Sequence, residues 1–238
     1  LLNNKEKKNL ALGIISNYVT NSEDQKKILK YFQFSKSNSM SDFFALSVLK
    51  NKKKGVFVEF GGMDGIAYSN TYMLENHFDW TGLIIEPSRH FSKSLSENRK
   101  CEISFECLSD KDDETVEFNE VSNGLSTINK FSSSDNKAEK RKNGNLYKLK
   151  TIKLDSLLDK INFHNEIDFM SIDTEGSEFE ILKNFNFNKY LIKIICVEHN
   201  FNNSKRNNLF NLLAKNKFIR VMENFSRNDD WYINKELI

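Results

Sequence analysis

The amino-acid sequence predicts an α/β fold built on a mostly parallel, seven-stranded sheet with helices on both faces. Short, nearly continuous apolar runs recur along residues 51–238, and such runs are typical of strands that are buried on both sides. Segments with apolar residues at helical spacing lie between these runs. Strands that alternate with helices favour a parallel sheet, because each helix returns the chain to the edge where the next strand begins.

A helical extension is expected over residues 1–50, ahead of the α/β domain at 51–238. Apolar residues recur three and four positions apart in two stretches, and a third, shorter stretch is also consistent with a helix. These stretches are Leu10, Ile14, Ile15 and Tyr18, then Ile28, Leu29 and Phe32, then 43–49. The run Lys52-Lys53-Lys54-Gly55 ends the helical pattern.

The α/β domain is expected to contain strands at 56–60, 82–86, 103–108, 167–173, 191–197, 218–222 and 231–233. The last two are expected to form an antiparallel pair. Helices are expected at 71–78 with Ser69 as N-cap, at 91–98, from 177 onward and at 207–216. Residues 119–148 interrupt this alternation. Their polar, turn-rich composition predicts an exposed, flexible loop that acts as a lid or faces the substrate.

Composition narrows the functional classes. Hydrophobic residues make up 39% and charged residues 29% of the sequence, which is typical of a globular domain rather than a disordered chain. The net charge of +2 does not favour a nucleic-acid partner, and no apolar stretch is long enough to span a membrane. The three cysteines lack the spacing of a redox or zinc motif, and the N-terminus does not resemble a signal peptide, so a cytoplasmic location is expected.

The first expected strand ends in a glycine turn that suits a positively charged ligand. Ligands of open α/β sheets bind beyond the carboxyl ends of the strands, where a glycine such as Gly61 allows a close approach. A dinucleotide-binding turn meets a pyrophosphate, which Asp64 would repel. An acid at this place, together with Glu59 at the strand end, suits the amine and sulfonium of S-adenosylmethionine (SAM).

Acidic residues after the next two strands match an adenosine. Glu86 lies about 20 residues beyond the glycine turn, where an acid binds both hydroxyls of a ribose, although it is alternatively a surface acid. Asp110 is placed to accept a hydrogen bond from the adenine amino group, or else is an ordinary turn residue. The expected SAM-binding set is Glu59, Gly61, Asp64, Ser69, Glu86, Pro87, Ser109 and Asp110.

Polar residues after the fourth and fifth strands form the candidate catalytic centre. Asp173 is expected at its middle with Glu175 in support, and His199 is a candidate general base near neutral pH. The alternative for His199 is to orient a neighbour by hydrogen bonding. Asp173, Glu198 and Asn200 are also candidate ligands for Mg²⁺ or another divalent cation, which would acidify a substrate hydroxyl.

Several long motifs, in a preserved order between about Ser41 and Tyr232, closely resemble the FkbM family of methyltransferases. Several motifs in order are far more specific than any one of them. They are the sequences at 55–65 (GVFVEFGGMDG), 69–75 (SNTYMLE), 80–87 (WTGLIIEP), 154–158 (LDSLL), 167–178 (IDFMSIDTEGSE) and 197–200 (VEHN).

The resemblance implies a Rossmann-like class I methyltransferase fold, SAM as methyl donor, and O-methylation, often of sugars or natural-product hydroxyls. By position it implies that Glu59, Gly61, Asp64, Glu86 and Asp110 contact SAM, and that Asp173, Glu175 and His199 lie near the transfer site. Gly62 departs from the family, which often has alanine there, and this difference is expected to be harmless. Residues 1–40 and 119–148 match nothing in the family, so substrate choice is expected to depend on them.

Three functions from different classes compete. The first is methyl transfer to a hydroxyl of a small-molecule or glycan acceptor. The second is methylation of nucleic acid, but amino-methylating enzymes of that class use a turn with two prolines, and Pro87 is the only proline. The third is a non-catalytic module that binds SAM or a nucleotide. The lysine-rich stretch 137–153 is expected to be a solvated loop, with attraction of an anionic acceptor such as a phosphorylated sugar as the alternative.

Overall fold

A computed structural model describes residues 2–238 of the chain. Three helices open it, as predicted, and a short 3₁₀ turn at Phe32–Phe34 precedes the third. The first helix begins at a reciprocal cap, in which the backbone N–H of Glu6 donates to the Asn3 side chain and the Asn3 N–H donates to the Glu6 carboxylate. The three helices are α1 (Asn4–Tyr18), α2 (Ser22–Leu29) and α3 (Ser41–Val48).

Strands and helices then alternate, and a group of short strands interrupts them after the third strand. In chain order the elements are β1 (Val56–Phe60), α4 (Tyr72–Phe78), β2 (Thr81–Ile85), α5 (Ser92–Asn98), β3 (Glu102–Ser104), β4 (Cys107–Leu108), β5 (Thr115–Glu120), β6 (Thr127–Ile128), α6 (Ala138–Arg141), β7 (Asn145–Ile152), α7 (Leu154–Lys160), β8 (Glu166–Ile172), α8 (Glu178–Leu182), β9 (Leu191–Glu198), α9 (Asn203–Lys215), β10 (Phe218–Val221) and β11 (Asp229–Asn234).

The main sheet has seven strands in the order β10-β11-β9-β8-β1-β2-β3. The five strands from β9 to β3 run parallel to one another, whereas β11 is antiparallel to both of its neighbours. The predicted antiparallel pair at the end of the chain is therefore confirmed, and the sheet is mixed. A short connection joins β10 to β11, and a connection of this kind can only form a hairpin.

Helices cover both faces of this sheet. Neighbouring residues of each strand point to opposite faces, so the apolar strands present side chains on both faces that must be buried. On one face, Phe57 and Trp231 pack with Ile14 and Phe44 of the N-terminal helices in a single buried core. On the other face, the core combines strand residues with residues of α7, α8 and α9: Val58, Phe60, Met170, Leu157, Leu182 and Leu213. The N-terminal helices thus share their core with the sheet.

Residues 119–148 contain strands and a helix, so the prediction of an exposed, flexible loop is wrong in its secondary structure, whereas a role as a lid or substrate-facing segment stays a prediction. The stretch lies within a second sheet, of order β4-β7-β5-β6, and carries a 3₁₀ turn at Asn129–Phe131 and the helix α6. The predicted third strand at 103–108 is divided, with β3 in the main sheet and β4 in the second. Phe118 and its neighbours form a small core of their own. We refer to residues 107–152 as the insertion.

The glycine turn after β1 packs so closely on β2 that Gly62 has no room for a side chain. A Cβ atom at Gly62 would lie 2.2 Å from Cγ2 of the buried Ile84. An alanine at position 62 would therefore need a different neighbour than Ile84. Glycine fits this space, and the expectation that the difference from the family is harmless stays a prediction.

We expect Gly62→Ala to lower the free energy of unfolding by about 1–3 kcal/mol, as overpacking of a core does. Chemical denaturation measures this loss. In an Ile84→Ala background the same substitution is expected to cost almost nothing further, because the colliding methyl group is gone. Equal losses in the two backgrounds would contradict this explanation.

Candidate active site

A cleft lies at the carboxyl edge of the main sheet, between the sheet and the insertion. It encloses about 550 Å³ when the open space at its mouth is included. Gly61 forms its floor with a φ of +75°, and a Cβ there would lie 2.0 Å from the carbonyl oxygen of Asp173. Its walls come from the strand ends and from the insertion: Phe60, Ile85, Glu86, Pro87, Leu108, Phe118, Thr127, Ile128, Thr174 and Glu175. The parallel strands bring these distant segments together because their carboxyl ends share one edge.

Glu86 lies in the wall of this cleft, as predicted for a ligand-binding acid. One carboxylate oxygen accepts the backbone N–H of Met63 and the other that of Ser88, both at 2.9 Å. Burial raises the pKa of Glu86 to about 7, in spite of these two hydrogen bonds. The side chain is therefore held in one position, with a carboxyl group that changes charge near neutral pH. Pro87 lines the cleft beside it.

Asp64 folds the glycine turn rather than lining the cleft. Its carboxylate accepts the backbone N–H groups of Ile66 at 2.9 Å and Ala67 at 2.7 Å. Arg99 holds the same turn from outside, because its guanidinium donates to the carbonyl oxygen of Gly65. These hydrogen bonds hold the turn in its conformation.

Glu59 and Ser69 form a buried network behind the glycine turn. The Glu59 carboxylate accepts hydrogen bonds from the Ser69 and Thr71 hydroxyls and from the Asn70 N–H, and Arg99 lies 3.5 Å away. Thr71 occupies the N-cap position of α4, but the Ser69 hydroxyl is the group that accepts from the helix, at 3.1 Å from the N–H of Tyr72. Neither Glu59 nor Ser69 lines the cleft, so a contact of either with SAM stays a prediction.

Ser109 and Asp110 follow β4 and lie outside the lining of the cleft. Asp110 accepts from the ammonium of Lys183 at 2.7 Å, and this hydrogen bond lowers its pKa. The Ser109 hydroxyl donates to Asp110 at 3.3 Å. Their predicted role at the adenine stays a prediction.

Three carboxylates converge beside the cleft. One oxygen each of Asp173, Glu175 and Glu198 lies within 4.8 Å of the others. Asp173 is open to the cleft, whereas Glu175 and Glu198 are buried. Desolvation, followed by the charges of Glu198 and Glu175, raises the pKa of Asp173 well above its usual range. The structure thus brings together Asp173 with the predicted Glu175 and Glu198.

Two basic residues from the insertion bind this carboxylate cluster, and sequence reasoning did not single them out. The Lys137 ammonium lies 2.8 Å from Glu175 and 3.3 Å from Glu198, and the Arg141 guanidinium lies 2.6 Å from Glu175. Burial works against the charge of Lys137, but Glu198 and Glu175 outweigh it and raise its pKa. The sequence signal was present as the lysine-rich stretch, which we interpreted as a solvated loop.

The carboxylate cluster does not fit a divalent cation in this arrangement. The Asn200 side chain donates its N–H groups to Glu175 and Glu198, so it offers them a donor rather than an oxygen ligand to a metal. Lys137 already binds both oxygens of Glu175 and one of Glu198, and Arg141 binds one of Glu175, so a cation here would meet two positive charges. The predicted set of Asp173, Glu198 and Asn200 would bind Mg²⁺ only after these charges had moved away.

His199 points away from the carboxylate cluster. It is only 2% exposed, and its Nδ1 accepts the backbone N–H of Phe201 at 3.0 Å. Its Nε2 faces Asp230 at 3.8 Å, and burial lowers its pKa. His199 is not among the residues that line the cleft. Both roles considered for His199, as a base and as a residue that orients a neighbour, stay predictions.

The family model for the methyltransferase FkbM domain matches residues 59–229. The chain belongs to this family. The match covers the glycine turn, Glu86, the insertion and the carboxylate cluster of this FkbM domain, so the resemblance of its motifs is confirmed. A comparison with curated proteins found no match to the chain. Across residues 2–238, no helix combines the length and the hydropathy needed to cross a membrane.

Proposed function

We propose that this FkbM domain transfers a methyl group from SAM to a hydroxyl oxygen of a small-molecule or glycan acceptor. The family supports methyl transfer as the class of activity, and methyltransferases in general use SAM. The observation that supports transfer to a hydroxyl oxygen is the position of Asp173. It is a carboxylate open to the cleft, with a raised pKa, at the edge of the sheet that Glu86 also borders.

Glu86 and the glycine turn are the residues that would hold SAM. A rigid carboxylate such as Glu86 accepts hydrogen bonds from both hydroxyls of a ribose. Gly61 has the positive φ that turns the backbone after β1, and its missing side chain makes room for the carbonyl oxygen of Asp173, so that the two strand ends border the cleft side by side. Apolar groups of Phe60, Leu108 and Ile128 offer a surface for an adenine ring.

SAM supplies an electrophilic methyl group on a sulfonium. The acceptor oxygen forms the new C–O bond as the C–S bond breaks, and the hydroxyl proton must go to a base. Asp173 is the base in this proposal, because it is the carboxylate of the cluster that faces the cleft. Desolvation and the neighbouring carboxylates raise its pKa, so its ionised form takes up a proton readily. S-adenosylhomocysteine and the methyl ether are the products. No divalent cation takes part, because the carboxylates beside Asp173 are already bound by Lys137 and Arg141.

We expect Glu86→Gln to weaken binding of S-adenosylhomocysteine by roughly 10–100-fold at pH 8, since a hydrogen bond to a charged group contributes about 1.5–3 kcal/mol. Calorimetric titration measures the dissociation constant of S-adenosylhomocysteine. The pKa of Glu86 is raised to about 7, so its carboxylate is lost as the pH falls through that value. The affinity of the unaltered protein is therefore expected to fall between pH 8 and pH 6, more steeply than that of Glu86→Gln.

Glu97→Gln is the matched control, because Glu97 is an exposed acid on α5. It is expected to bind S-adenosylhomocysteine like the unaltered protein. Equal affinities in Glu86→Gln and the control would remove Glu86 from the site. Methyl ethers of sugar and small-molecule alcohols, detected by mass spectrometry after incubation with SAM, test the acceptor class. Transfer to nucleic acid alone would replace the acceptor that we propose.

A further inference from the structure

The carboxylate cluster poses an electrostatic problem that the fold must solve. Three carboxylates with oxygens within 4.8 Å repel one another, and proteins keep such groups charged only beside a compensating cation. A divalent metal ion is one such cation, and the spacing of Asp173, Glu175 and Glu198 suits one. The question is which cation this chain uses.

Lys137 lies beside two of the three carboxylates that such a cation would bind. Its ammonium bridges Glu175 and Glu198, with contacts of 2.8 and 3.1 Å to the two oxygens of Glu175 and 3.3 Å to Glu198. The side chain of Lys137 is 24% exposed. The side chain of Lys142, at the other end of α6, is 69% exposed. Lys137 is therefore directed inward, unlike its solvated neighbour.

The insertion holds Lys137 in a defined position. The backbone N–H of Lys137 donates to Asp135 at 2.8 Å, and Asp135 in turn pairs with Arg141, whose side chain is fully buried. Arg141 also donates to the carbonyl oxygen of Leu125 and to Glu175. The segment that carries Lys137 is thus tied to both the insertion and the cluster, so the placement of the ammonium is built into the fold.

The three carboxylates differ in what binds them. Every oxygen of Glu175 and Glu198 accepts at least one hydrogen bond, from Lys137, Arg141, Asn200 or Asn228. Asp173 accepts none from a lysine or arginine within residues 2–238, and it faces the cleft. A metal ion at this place would have to approach the carboxylate oxygens to about 2.0–2.6 Å, beside an ammonium that already touches them.

We propose that Lys137 is a built-in countercation that takes the place of a divalent metal ion in this active site. Together with Arg141 it offsets the charges of Glu175 and Glu198. It leaves Asp173 facing the cleft, and it repels metal ions. Its role is a positioning one, since it acts through the carboxylates. The effect on catalysis rests on the proposed function, whereas the exclusion of metal ions from the carboxylate cluster does not.

The experiment measures binding of Mn²⁺ by electron paramagnetic resonance, which requires no knowledge of the acceptor. We expect Lys137→Ala to bind Mn²⁺ at least ~10-fold more tightly than the unaltered protein, because a repelling charge is gone and two carboxylates are released. Lys137→Arg keeps the charge and is expected to behave like the unaltered protein. Lys140→Ala removes an exposed lysine of α6 and is the matched control.

A second substitution locates the acquired site. Adding Asp173→Asn to Lys137→Ala is expected to abolish the gain in Mn²⁺ binding. If Lys137→Ala only disturbed the fold, any Mn²⁺ binding that resulted would not depend on Asp173. Circular dichroism verifies that each variant is folded. Equal Mn²⁺ affinity in the unaltered protein and in a folded Lys137→Ala would overturn the proposal. An active protein that loses methyl transfer in EDTA and regains it with Mn²⁺ would also overturn it.

Discussion

Asp173→Asn is expected to lower turnover by at least ~10²-fold, which is the scale of a positioned acid–base group. The substitution keeps the size of the side chain but removes the oxygen that takes up the proton. Binding of S-adenosylhomocysteine is expected to persist, because Asp173 is placed to act on the acceptor and Glu86 on the ribose. Single-turnover assays with saturating SAM measure the transfer step, and calorimetry measures ligand binding.

His199→Ala separates the two candidate bases. His199 is buried and its Nδ1 accepts a backbone N–H, so we expect a much smaller loss of turnover than in Asp173→Asn. Asp24→Asn is the control for Asp173→Asn, because it removes the charge of an exposed acid on α2. A loss in His199→Ala as large as that in Asp173→Asn, with the fold intact, would restore His199 as a base. Near-normal turnover in both variants would place the chemistry elsewhere.

The second large effect is expected on stability, at Arg99. Its side chain is fully buried and donates to Glu75 at 2.6 Å, to Ser69 at 3.0 Å and to the carbonyl oxygen of Gly65 at 3.1 Å. Removal of one partner from a buried ion pair costs about 3–5 kcal/mol, because the other charge stays buried without compensation. Arg99→Met is therefore expected to lower the melting temperature by roughly 6–20 °C.

Lys93→Met is the control for Arg99→Met, since Lys93 is 87% exposed and only 3.9 Å from Glu97. Its free energy of unfolding is expected to change by less than about 0.5 kcal/mol. Arg99→Met is also expected to bind S-adenosylhomocysteine more weakly, because the glycine turn loses its outer support. A loss of less than about 1 kcal/mol in Arg99→Met would mean that the pair behaves like an exposed one.

Local patterns were sufficient to predict the elements of the main sheet. Short apolar runs such as 56–60 are typical of buried strands, and the helical spacing around Ile14 predicted the first helix. The same reasoning missed the strands of the insertion, although Val116 and Phe118 of β5 alternate with polar residues as in a strand with one buried face. The polar turns between these short strands dominate the composition of the segment, and composition alone therefore predicted a loop.

The sequence by itself determined which segments of the candidate site meet, because parallel strands present their carboxyl ends at one edge. Glu86, Asp173 and Glu198 all follow from that rule. Only the tertiary structure decided which side chains face the ligand. Neighbouring residues at a strand end point to opposite faces, so Glu198 joins the carboxylate cluster while His199 packs away from it. Lys137 reaches the cluster from the residue before α6 in the insertion. No local spacing records this long-range contact, because it depends on how the insertion docks against the strand ends.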